Sequence, residues 1–103
     1  MTQTAAVYAE LWVSMASLLR SYTAALGLDG DRQATVELGE ERITVRHGDR
    51  WLDLTRDGAA VTWRREDGRN GVLTLMEAGR LQSSEGEEEM DLAAVRWAQE
   101  LMR

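Results

Sequence analysis

Cysteine and proline are absent from this chain, and the first absence excludes both disulfide staples and thiolate metal sites. Stability therefore has to come from a packed core, and 103 residues can bury one such core but not two. Lysine is missing as well, so all twelve basic residues are arginines, a compositional bias that carries no functional reading of its own. Acids outnumber them: the net charge is −6 and the sequence pI about 4.7. A field of that sign repels phosphates and argues against a nucleic-acid partner.

Charge is scarce at the start of the chain, where Glu10 and Arg20 alone interrupt the first 28 residues. With these two charges inside the run and no basic region ahead of it, neither a membrane span nor a secretory signal is expected. A soluble, cytoplasmic protein without a membrane partner is the expectation.

What the sequence does have is alternation. Apolar residues recur at every second position in Val36 and Leu38, Ile43 and Val45, Leu52 and Leu54, Val61 and Trp63, and Leu73 and Leu75, the period of a strand with one buried face. Between these runs lie Gly39-Glu40-Glu41, Gly48-Asp49, Asp57-Gly58, Asp67-Gly68-Arg69 and Ala78-Gly79. Such short breaks rich in Gly and Asp predict tight turns joining antiparallel neighbours. Residues 34–83 thus read as a meander of five strands, with a short sixth around Leu81.

Loop length then predicts register. A two-residue Gly48-Asp49 turn pairs Val45 with Leu52, Ile43 with Leu54 and Arg46 with Trp51. A two-residue Asp57-Gly58 turn pairs Leu54 with Val61, Leu52 with Trp63 and Trp51 with Arg64. The later hairpins need three-residue loops or a bulge to keep Leu73, Leu75 and Leu81 on the same face.

Helices are predicted on either side of the meander. The first covers 4–26, with Thr4 as N-cap, Gly27 at the stop and Leu28 folding back. Tyr8, Leu11, Trp12, Met15, Leu18, Leu19, Tyr22 and Leu26 line its apolar face. Its other side, with Val13, Ser14, Ser17 and Ser21, carries too little charge for a solvent-facing surface, so either the C-terminal helix covers part of it or the chain self-associates, through this side around Val13 and Ser17 or through the outer sheet face. The Asp29-Gly30-Asp31 connection lacks the spacing of a calcium loop. The second helix is predicted over 87–102, with Ser84 and Glu87 as a capping box, the acidic run favoured by the helix dipole, and Met90, Ala94, Trp97 and Leu101 on one face.

The resulting fold class is α+β: residues 1–103 form one two-layer sandwich with both helices on one sheet face. The order helix, meander, helix resembles that of the frataxins in topology. The acidic ridge of that family is not reproduced, since the first helix offers only Glu10 and the first strand only Glu37, so no iron or desulfurase role is implied. Small acidic secretion chaperones place a helix among their strands, and no gap here holds one.

The residues present suggest no cofactor, no metal site and no catalytic set. His47 is the only histidine and begins a turn, Asp53 has no second acid in register, and no glycine composes a phosphate loop that opens a helix. One feature departs from a plain solvated sheet: Arg46, Trp51 and Arg64 are laid side by side on the outer face. Either the arginine stems cover the indole in a cation–π stack, or the three residues form a binding patch. The expectation is a non-enzymatic protein-interaction module acting as a homodimer or adaptor; the alternative is a small-ligand or anion binder using that patch.

Overall fold

The computed structural model describes residues 2–27 and 33–102, with side chains from Ala6 onward in the first helix. That helix, α1, spans Thr2–Leu26. Thr4 therefore lies within the first turn instead of capping it, and its side chain is outside the described residues, as are Leu28 and the Asp29-Gly30-Asp31 connection. At the other end the Gly27 amide donates to the carbonyls of Thr23, at 3.0 Å, and Ala24, at 3.2 Å, satisfying two acceptors the helix leaves open.

Seven strands follow, two more than five clear alternating runs suggest: β1 Thr35–Leu38, β2 Arg42–His47, β3 Arg50–Asp57, β4 Ala60–Arg65, β5 Asn70–Met76, β6 Arg80–Ser83 and β7 Gly86–Glu89. They form one antiparallel sheet in sequence order, a continuous meander. The last helix, α2, spans Met90–Leu101. No helix among the described residues is long and apolar enough to cross a membrane.

The β2–β3 register is the predicted one in every pair, from His47 with Arg50 to Ile43 with Leu54. The β3–β4 register differs: the loop is Gly58-Ala59, so Asp57 faces Ala60, Leu54 faces Trp63 and Asp53 faces Arg64. The reason lies in the turn. Gly48 and Gly58 both have φ of 62° and no non-glycine residue among those described has positive φ, so each hairpin puts its glycine first, as a type II′ turn demands. Reading Asp57-Gly58 as the loop places glycine second. The correction moves the register by two residues, which leaves every side chain on its expected face while changing its partner.

The second correction concerns the acidic run. Glu87, Glu88 and Glu89 do not open a helix; they form the edge strand β7, paired with β6 across a Ser84-Glu85 turn. Gly86, at φ 127°, supplies a backbone geometry other residues resist. Arg80 reaches Glu87 at 3.2 Å and Glu89 at 3.8 Å, and Arg96 reaches Glu88 at 2.8 Å, so arginines on neighbouring elements hold the acids in an extended segment. The capping box does not form: α2 begins after Glu89, which makes no side-chain cap bond.

One core lies between the sheet and both helices. Trp12, Met15, Ala16 and Leu19 of α1 and Met90, Ala93, Ala94, Trp97 and Leu101 of α2 meet Ile43, Val45, Leu52, Leu54, Val61, Leu73, Leu75 and Leu81 of the sheet. The α+β sandwich with helices on one face is therefore observed. Its outer face carries Thr44, Arg46, Trp51, Asp53, Thr62 and Arg64, the alternate positions of the same strands.

Candidate binding face on the outer sheet

Adjacent strands bring Thr44, Asp53 and Arg64 into one row across β2, β3 and β4, and Arg46 and Trp51 into the neighbouring row. Asp53 is the anchor. Only 3% exposed although it is on the outer face, it accepts from Arg42 Nε at 2.7 Å and Arg42 Nη2 at 3.0 Å, a bidentate fork, and from Thr44 Oγ1 at 3.0 Å. Arg64 stands 3.5 Å away on the other side. Burial acts to raise the Asp53 carboxyl, but the hydrogen bonds from Arg42 and Thr44, the Arg42 charge and the Arg64 contact together outweigh it and hold the group below the usual carboxylate range.

Around this anchor Arg42, Thr44, Arg46, Gly48, Arg50, Trp51, Asp53 and Arg64 line a concavity of about 420 Å³. The structure thus brings all three sequence-predicted residues, Arg46, Trp51 and Arg64, to one site. Their arrangement differs from a symmetric stack. Arg46 faces Trp51 directly, as predicted, whereas Arg64 sits one row away and turns to Asp53. The cation–π contacts among the described residues join Arg56 to Trp12 and Arg96 to Trp97, so the indole of Trp51 is not sandwiched. Its backbone amide donates to Glu66 Oε1 at 3.1 Å, which fixes the strand at this point.

On this face three arginines, Arg42, Arg46 and Arg64, therefore stand around one carboxylate. Asp53 engages Arg42 and Arg64. Arg50, in line with the inner-face Leu52 and Leu54, turns its guanidinium away to the Glu100 backbone carbonyl at 2.9 Å, whereas Arg46 has no ion-pair partner among the described residues. The concavity is locally positive on a chain of net charge −6. A planar indole beside the free guanidinium fork of Arg46 can hold an anionic group and the apolar stem that carries it.

Sequence reasoning missed Arg42. The signal for Arg64 meeting Asp53 was present in the glycine-first turn, but Arg42 reaches Asp53 diagonally across the β2–β3 ladder, a contact that depends on side-chain direction and not on pairing.

His47 is occupied elsewhere: its ring Nδ1 donates to the Leu101 carbonyl at 3.0 Å, and with Arg50 it covers the open carbonyls at the α2 C-terminus. Among the described residues no cluster of three or more His, Asp or Glu forms a metal-binding group. A second concavity, about 560 Å³, lies on the inner side between Trp63, Gly71, the β6–β7 hairpin and Trp97. Its arginines are already engaged, Arg65 by Glu100, Arg69 by Asp67 and Arg96 by Glu88. No protein-family model, no curated protein and no solved structure matches this chain.

Proposed function

We propose that this protein is a non-enzymatic interaction module whose outer sheet face receives an acidic segment of a partner protein. One observation carries the reading: Arg42, Arg46 and Arg64 meet beside Trp51 on the outer face around a single, already saturated carboxylate. Asp53 positions Arg42 and Arg64 instead of neutralising the whole cluster, which leaves Arg46 as the free anchor beside Trp51. Trp and Arg are the residue types that dominate binding hot spots, and an indole flanked by guanidinium groups supplies both contact area and charge.

A free small anion is the second reading, favoured by the concavity's volume of about 420 Å³, which falls within the range of small-molecule sites. Titration calorimetry with a capped acidic peptide and, separately, with inorganic phosphate or citrate distinguishes the two. The proposal expects peptide binding that weakens with salt and falls at least about tenfold in Trp51→Ala and in Arg46→Ala, the equivalent of about 1.4 kcal/mol per site. Equal binding by wild type and both variants would overturn it, as would a complete absence of binding to any acidic peptide or small anion.

A further inference from the structure

The exposed side of α1 carries a pattern that the outer sheet face does not explain. Ala6, Glu10, Val13, Ser17, Arg20 and Ala24 are all exposed, and they follow one another in alternating steps of four and three residues, the spacing of a single face. Val13 is 51% exposed. Glu10 and Arg20 are the only charged residues of α1. Among the described residues Glu10 has no ion-pair partner, and Arg20 meets only the Val36 carbonyl, at 3.4 Å. Ten residues of helix separate the two by about 15 Å of rise, too far for them to pair within one helix.

The order of the stripe is its own complement about Met15. Reversing it sets Ala6 against Ala24, Glu10 against Arg20 and Val13 against Ser17. This is the condition for an isologous contact, in which residue i of one copy meets residue j of the other and j meets i. We infer that two copies of this chain associate through α1, packed antiparallel across a two-fold axis at the level of Met15, with each Glu10 paired to the second copy's Arg20.

The charges select this arrangement over the alternatives. A parallel pair of helices would set glutamate on glutamate and arginine on arginine, and like charges face to face repel. A foreign partner would need the opposite pattern by coincidence, whereas a second copy has it by symmetry. The small residues let the helix axes approach to the 8–10 Å typical of packed helices. Beside the stripe, an open groove of about 620 Å³ is lined by Ala9, Trp12, Val13 and Leu38 together with the charged Glu40, Glu41 and Arg56, and Leu38 is itself 37% exposed, so apolar surface interspersed with charge reaches from α1 to the edge strand β1. The ion pairs are at the surface and set register more than affinity. This inference rests on α1 and is independent of the reading of the outer sheet face.

The test is the solution mass by sedimentation equilibrium, with charge reversals. The wild-type chain is expected at twice 11.6 kDa at high micromolar concentration. Glu10→Arg alone and Arg20→Glu alone each create two repulsive contacts across the axis and should raise the dimer dissociation constant at least tenfold. Mixing the two single variants restores both attractive pairs, so the mixture should return to the wild-type dissociation constant as a heterodimer. Both positions are exposed and keep good helix formers, and circular dichroism checks that the fold persists. A monomeric wild type, a dimer indifferent to either reversal, or a mixture without rescue would each overturn the proposal.

Discussion

Gly71 lies beneath the indole of Trp63, its partner across β4 and β5, and a Cβ built there would stand 2.6 Å from the indole nitrogen. The ring uses this gap to lie back toward α2, where its centroid is 6.3 Å from that of Trp97. Gly71→Ala should therefore push Trp63 off its contact and destabilise the fold by about 1 to 3 kcal/mol, the range for overpacking. Chemical denaturation measures the loss, and a crystal structure of the variant should show the indole displaced. An unchanged unfolding midpoint would show that the ring yields freely.

Leu54 and Trp51 share strand β3 but point to opposite faces. Leu54 is fully buried between Ile43 and Trp63, while Trp51 lies half-buried on the outer side. Leu54→Ala should cost about 2 to 5 kcal/mol through lost burial and the cavity left behind. Trp51→Ala should cost much less, because it empties no closed space. Equal shifts in the denaturant midpoint would contradict this assignment of faces.

The saturated Asp53 makes stability depend on acid. Its folded-state carboxyl is held below 3.8, the value expected of a free group. The stability supplied by its bonds is therefore complete above that value and is lost as pH falls from it through the lower folded-state value. Thermal unfolding followed from about pH 6 to about pH 2 should fall more steeply for the wild type than for Asp53→Asn. At neutral pH, Asp53→Asn should cost about 1 to 3 kcal/mol, since it weakens the fork to Arg42. Parallel pH curves for the two proteins would remove Asp53 as the anchor of the outer face.

Most of the fold is legible because its physics is local. A period of two marks the inner face of β1 to β5, and a shift of two residues at Gly58 left Leu54, Val61 and Trp63 on that face. What escaped was set by long-range contacts. Glu87, Glu88 and Glu89 carry a helix-start composition, and they become strand β7 because Arg80 and Arg96 are placed to receive them. In the candidate site, Arg46 opposite Trp51 follows from turn length alone, whereas the Arg42 fork depends on rotamers no spacing encodes. Arg65 sits in line with the inner-face residues, and its alternation gave no hint of what would neutralise it.

Its partner is Glu100 of α2. Arg65 is 8% exposed, paired with leucine-lined strand β3 through Leu52, and its guanidinium donates to the Glu100 carboxylate. Its Nε has no hydrogen-bond partner and is buried, so the ion pair is the main compensation for taking this charge out of water. Glu100→Ala should accordingly destabilise by about 1 to 3 kcal/mol, because it leaves the guanidinium buried and less well satisfied. Arg65→Met combined with Glu100→Leu removes both charges and the unmatched Nε while keeping volume, and replacements of this kind are often neutral or stabilising. The double variant should therefore be more stable than Glu100→Ala and close to wild type in denaturant unfolding. If instead the double variant were the least stable of the three, the pair would be contributing net stability, and α2 would be held to the sheet by charge as much as by Trp97 and Leu101.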